Sequence, residues 1–177
     1  LSKPNLHFFN FKNPADGKIL ASKNVYCYIN NHASKTILIG AHYDHIGLGQ
    51  IKSLSYNSKG KIHNGADDNA SGVALMLSLA KNYKRWRSKK YNYVFVAYSA
   101  HEIGLYGSSA FQAFAIKHFK PISLAINFDM VGRLDKREKV LSIFGFSSIV
   151  QNNRFFLQKN ETLNIKTDED AMINQTD

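Results

Sequence analysis

Cysteine is almost missing: Cys27 is the single one in 177 residues. A lone thiol excludes an internal disulfide framework. Within Val25-Tyr26-Cys27-Tyr28-Ile29, which alternates as a strand does, it reads as a small packed side chain. Proline is scarce as well, with 3 residues against 11 glycines, so low complexity is excluded. No apolar run is long enough to span a bilayer, and there is no internal repeat and no heptad pattern. No basic-then-apolar leader follows Leu1, which leaves export open. Acids are outnumbered, 13 against 23 basic residues, for a net charge of +10. The main basic cluster is Lys81, Lys84, Arg85, Arg87, Lys89 and Lys90, at the end of a predicted helix, where cations suit the dipole. A solvated helix face accounts for it. The cluster is local and lacks a stacking platform, which argues against a nucleic-acid partner.

What is present fits one globular domain with a sizeable core, since 44% of the chain is hydrophobic. Val25 to Ile29 reads as a strand, followed by turn chemistry at Asn30-Asn31-His32-Ala33-Ser34. Thr36 to Ala41 is a continuous apolar run, as a buried strand should be. A polar loop covers residues 47 to 64. From Ser71 to about Lys90, apolar residues at Val73, Leu75, Met76, Leu77, Leu79, Ala80, Tyr83 and Trp86 predict a helix with one buried face. Tyr93 to Tyr98, Ile122 to Phe128 and Val140 to Phe146 read as further strands, Gly104 to Phe119 as a second helix, and 152 to 163 as a third. Strands alternating with helices predict an α/β domain, with a largely parallel sheet.

In such sheets, sites form beyond the carboxyl ends of the strands. His42, Glu102 and Asp129 all fall at or just past such ends, and Asp68 falls just before a helix. His42 suits zinc as an imidazole ligand, and Asp44 is placed to accept a hydrogen bond from its other ring nitrogen. A lone His-x-Asp is weak evidence, because a buried histidine paired to an aspartate occurs without any metal. Gly65-Ala-Asp-Asp-Asn-Ala-Ser-Gly72 is more specific. Capping by Asp68 or Asn69 explains one acid at a helix start, but not two acids between glycines. Glu102 and Asp129, each directly after an apolar strand, are liabilities unless something positive lies nearby. Four such segments together favour a metal site over separate structural roles.

These segments carry a resemblance. Gly40-Ala-His-Tyr-Asp-His-Ile-Gly47, Asn64-Gly-Ala-Asp-Asp-Asn-Ala-Ser-Gly-Val73, Ser99-Ala-His-Glu-Ile-Gly-Leu-Tyr-Gly-Ser108 and Ile126-Asn-Phe-Asp-Met-Val-Gly-Arg133 resemble, in order, the co-catalytic zinc aminopeptidases of metallopeptidase clan MH. The zinc carboxypeptidases and deacylases of the same clan match less well, because they usually lack the Asp-Asp-Asn-x-Ser-Gly form. The resemblance implies a three-layer αβα fold with a twisted, mostly parallel central sheet. It implies two zinc ions, with His42 and Asp129 on one, Glu102 on the other and Asp68 bridging both. It implies a cis peptide after Asp68, a peptide substrate, and a metal-activated water that removes N-terminal residues. By the family's habit it implies a secreted or periplasmic location. It carries no indication of oligomeric state.

Two departures stand out. The family's general base is a carboxylate directly before the Glu ligand, and here that position is His101. Neutral imidazole can accept a proton, whereas the zincs would disfavour its charged form. An altered hydrolase, a histidine that binds metal, and a peptide-binding pseudo-peptidase all remain open on this point. The family's fifth ligand is a late histidine, and no histidine follows His118. Residues 1–177 are therefore expected to form a single zinc-peptidase domain lacking its C-terminal part. His118, on a predicted helix, is a poor substitute. His45 and His63 lie near the motifs, and for both a structural or solvated role is expected. His7 and His32 carry no signal.

Overall fold

The computed structural model describes residues 3–49, 53, 57, 60–86, 89–144 and 164–168. A five-stranded sheet has the order β1-β2-β4-β3-β5, built from β1 (Asn5–Lys12), β2 (Ile19–Ile29), β3 (Thr36–His42), β4 (Asn92–Tyr98) and β5 (Ile122–Asn127). β3 pairs in parallel with both β4 and β5, whereas β2 pairs antiparallel with β1 and β4. β2 is thus the one strand of this sheet that runs against the others. The parallel part follows from sequence: Leu38, Ile39, Ala41, Val94, Phe95 and Val96 are all buried, as expected for strands covered on both faces.

Helix α1 (Gly72–Trp86) covers one face, where Met76 and Ala80 pack with Ile39, Ala41 and Phe95. Helix α2 (Tyr106–His118) covers the other, where Phe111 and Ala115 pack with Leu38, Val94, Val96 and Tyr98. The three layers match the expected α/β architecture. Both helices form where the apolar period places them. α1 starts at Gly72 and not earlier, because Ala66–Ser71 forms a separate wide turn interrupted by non-helical backbone at Asp68 and Asn69. α2 ends where Phe119 N–H is accepted by Ala115 O at 2.9 Å and Pro121 follows. Gly107 lets α2 approach the sheet: a Cβ there would lie 2.0 Å from Ser99 O. Asn24, fully buried, donates to Gly107 O at 2.8 Å and accepts from Ser99 N at 2.9 Å, so it closes both ends of that approach.

Two strands depart from the expected layout. β1 and residues Ile19–Tyr26 of β2 form a hairpin around Pro14-Ala-Asp-Gly17, with Gly17 at φ 73°. Val140–Phe144 (β6) is a strand as expected, but it pairs in parallel with β7 (Asn164–Asp168) in a separate two-stranded sheet. The helix expected over 152 to 163 lies outside the described residues. Of the basic cluster, Lys81, Lys89 and Lys90 are exposed. Among the described residues no helix is long and apolar enough to cross a membrane.

β1 also carries a titratable group into the aromatic layer. The His7 ring lies 4.6 Å from that of Phe114 and 5.5 Å from that of Phe111. Burial, and secondarily the nearby His118, hold its pKa below the ordinary 6.5. The unfolded chain therefore binds this proton more readily than the folded one. The stability His7 contributes is present above pH 6.5 and is lost as pH falls below it. His7→Phe is expected to flatten part of the fall in melting temperature between about pH 7.5 and about pH 5.5.

Candidate metal centre

The expected ligands converge at the carboxyl edge of the parallel strands. His42 ends β3 and is fully buried. Its Nδ1 lies 3.1 Å from Asp44 O. A carbonyl only accepts, so this contact places the proton on Nδ1 and turns the Nε2 lone pair toward the acids. Nε2 lies 3.2 Å from Asp68 Oδ1 and 3.5 Å from Asp129 Oδ1. The other oxygen of Asp68, Oδ2, lies 3.8 Å from His45 Nδ1, which in turn lies 2.9 Å from Glu102 Oε1. One carboxylate thus stands between two donor sets.

The role expected of the Asp44 side chain is corrected here. Its carboxylate is 3.9 Å from His42 Nδ1, too far for a hydrogen bond, and the backbone carbonyl takes that place. Asp44 Oδ1 instead accepts from His101 N at 3.0 Å and Oδ2 from Glu102 N at 3.2 Å. The physical reason is the loop after β4. Ala100 at φ 58° turns the chain sharply off the strand, leaving two adjacent N–H groups aimed at one carboxylate. Asp44 is therefore a positioning residue for the segment that carries His101 and Glu102.

The Asp-Asp-Asn-Ala-Ser segment divides its labour. Asp67 Oδ1 accepts from Gly132 N at 2.9 Å. Asn69 donates to Phe128 O at 2.8 Å and accepts from Gly72 N at 3.0 Å and Met130 N at 3.2 Å. Ser71 Oγ accepts from Val131 N at 3.0 Å. These side chains bind the start of α1 to the loop after β5, on either side of Asp129. Asp68 alone is left facing the donor sets. The peptide between Asp68 and Asn69 is cis, as the resemblance implied.

The donor chemistry fits zinc. Four-coordinate zinc has bonds of about 2.0–2.2 Å to nitrogen and oxygen, which puts neighbouring ligand atoms about 3.3 Å apart. The separations of 3.2 and 3.5 Å around His42 bracket that edge. Asp129 Oδ1 is buried and accepts no hydrogen bond. Among the described residues, no lysine or arginine nitrogen lies within 4.0 Å of Asp44, Asp68, Glu102 or Asp129. Carboxylates gathered this closely favour a cation beside them.

His101 Nε2 comes within 4.0 Å of Asp129 Oδ2, close enough to suggest a third ligand for the His42 set. Ring geometry argues against it. The His42 and His101 rings are stacked, with centroids 3.7 Å apart and planes 5° from parallel. An imidazole lone pair lies in the ring plane, and two stacked planes do not meet at one ion. His101 packs over the face of His42.

The remaining histidines divide. His118 sits in the last turn of α2 against Phe114, ring centroids 4.3 Å apart, on the aromatic layer. His63 Nε2 pairs with Ser53 Oγ at 2.9 Å. His45, expected to be structural or solvated, stands in the second donor set. Its signal in the sequence was its spacing, three residues past His42 in the loop after β3.

A three-layer α/β domain gathers two candidate metal-binding sets at the carboxyl edge of its parallel strands. Residues 24–172 match the model of Peptidase family M28, and the chain belongs to that family. It is 36% identical over 103 residues to the uncharacterized protein YfbL of Escherichia coli, covering 56% of this chain and 29% of that protein. It is 33% identical over 97 residues to aminopeptidase YwaD of Bacillus subtilis, covering 54% and 18%. The chain thus spans less than a third of either relative's length. Among solved structures, a leucine aminopeptidase precursor from Bacteroides thetaiotaomicron superposes with a TM-score of 0.73 at 17% identity, over 98% of this chain and 66% of that one. A glutaminyl cyclase from the same organism gives 0.74 at 17% identity, over 98% and 64%. At such identities the likeness concerns the fold.

Proposed function

We propose that the protein is a zinc-dependent aminopeptidase that binds two ions, one held by His42, Asp129 and Asp68 and the other by Asp68 and Glu102. The observation that carries this reading is the split carboxylate of Asp68, one oxygen toward each donor set, with no lysine or arginine among the described residues to neutralise the acids. Zinc, when bound, supplies Lewis acidity that makes water nucleophilic at neutral pH and polarises a carbonyl. The chain supplies the rest. Asp44 holds His101 and Glu102 by their backbone N–H groups. His101 is the proton acceptor, able to return its proton to the leaving amine. An open cleft of about 590 Å³ adjoins Glu102 and His45, with Phe11, Leu20, Ile46, Leu48 and Ile103 on its walls. That cleft suits an apolar first side chain, so apolar N-terminal residues are expected to be released faster than charged ones.

The test is release of a chromophore from aminoacyl substrates by the purified protein, before chelation, after it, and after zinc is restored. Turnover that follows zinc supports the reading, and a zinc-loaded protein without turnover favours a peptide-binding domain. Because glutaminyl cyclases share the fold, ammonia release from a peptide with N-terminal glutamine is the second assay. The aminopeptidase relative favours hydrolysis. His101→Glu tests the proton acceptor: kcat is expected to rise by about tenfold or more, toward the 10²–10⁴-fold that a well-placed base contributes. A fall in kcat would give His101 a different role.

A further inference from the structure

We infer that His45 is a ligand of the second zinc ion, through Nδ1, alongside Asp68 Oδ2 and Glu102 Oε1. The inference rests on the zinc reading above and adds an imidazole to its second donor set.

Nδ1 of His45 stands 2.9 Å from Glu102 Oε1 and 3.8 Å from Asp68 Oδ2. These values bracket the ligand–ligand edge of about 3.3 Å expected around tetrahedral zinc. The three side chains are 21%, 16% and 35% exposed, so the set is partly buried and retains an open side for water or substrate. Together they provide one imidazole and two carboxylates, donors that zinc takes readily.

The backbone makes room for this ring. Gly65 adopts φ +62°, and a Cβ there would lie 3.0 Å from His45 Cγ, 3.1 Å from His45 Cβ and 2.9 Å from Asp68 O. The absence of a side chain at 65 lets the imidazole lie against the turn that delivers Asp68. A hydrogen bond between His45 and Glu102 alone accounts for the 2.9 Å contact, but it leaves Asp68 Oδ2 outside hydrogen-bond range at 3.8 Å. An ion between the three accounts for both separations, and the Nδ1 proton leaves as it enters.

The experiment loads the 15N-histidine-labelled protein with 113Cd and records the imidazole nitrogens. A scalar coupling between 113Cd and the His45 Nδ1 resonance, assigned by its loss in His45→Ala, requires a direct bond. In parallel, zinc titration of His45→Ala should show the first binding step unchanged. The second should be weakened beyond the roughly 10–100-fold that an outer partner is worth. Two cadmium ions bound with no coupling to His45 would overturn the inference and leave the zinc reading standing, as would a His45→Ala protein that takes up both ions like the parent. One ion bound at the His42 set and none beside Glu102 would also overturn it. Failure of the chain to take up any ion would remove the zinc reading as well. The coupling is measured on the unsubstituted protein, so the test survives a variant that folds poorly.

Discussion

Asp68→Ala is expected to lose tight binding of both zinc ions and to lower kcat/KM by about three orders of magnitude or more. Among the described residues no other side chain offers an oxygen to each donor set: Oδ1 faces His42 Nε2 at 3.2 Å and Oδ2 faces His45 Nδ1 at 3.8 Å. Removing either outer ligand leaves one set whole, whereas removing Asp68 opens both. The side chain is 35% exposed and the hydrogen bonds around it belong to Asp67, Asn69 and Ser71, so the fold is expected to survive. Zinc content per chain and thermal melting read the outcome together. An ion that binds only the folded state adds about 2.7 kcal/mol at one hundred times its dissociation constant. For a domain of this size that is roughly 5–10 °C in melting temperature. Zinc should raise the melting temperature of the parent by that order and leave Asp68→Ala nearly unmoved. A variant that keeps its zinc and its zinc-dependent melting shift would show that the shared carboxylate is not what holds the ions.

The positions of His42, Glu102 and Asp129 were legible because each follows a run of apolar residues that must be a buried strand, and strand ends collect at one edge. The same logic failed for direction. Asp67 and Asp68 look alike between glycines, but one accepts from Gly132 N and the other faces the donor sets. That difference comes from backbone angles at Asp68 and Asn69 that no residue type announces. Asp44 was placed beside His42 correctly and given the wrong partner, because the two N–H groups it accepts from belong to a loop distant in sequence. His45 was expected to fill a structural or solvated role. Its approach to Glu102 depends on the irregular loop after β3. β1 went unread for a different reason. His7, Phe9 and Phe11 point toward the core, but Leu6 and Phe8 on the outer face are apolar too, 48% and 69% exposed, so the alternation is blurred.

Asn69→Ala is the second large effect, and it separates stability from the first ion. Asn69 is 2% exposed and ties three backbone groups together: Phe128 O, Gly72 N and Met130 N. Alanine leaves all three without this partner. Gly72 N–H keeps the residue-69 carbonyl as an acceptor; for the other two, a buried group left unsatisfied costs about 1–3 kcal/mol, so a loss of roughly 2 kcal/mol or more is expected. Phe128 and Met130 flank Asp129, whose Oδ1 stands 3.5 Å from His42 Nε2. Freeing both neighbours loosens that carboxylate, while His45 and Glu102 are held from the loops after β3 and β4. The first ion should therefore bind more weakly, by about the 10–100-fold that supporting partners contribute, with the second changed less. Ser71→Ala removes only the contact to Val131 N at 3.0 Å and its own donation to Asp67 O at 2.6 Å, and is expected to cost about 1 kcal/mol. A zinc titration of both variants beside urea unfolding checks the order. If Asn69→Ala destabilises the fold but leaves both ions bound as tightly as in the parent, Asp129 is held by its own strand and not by the asparagine beneath it.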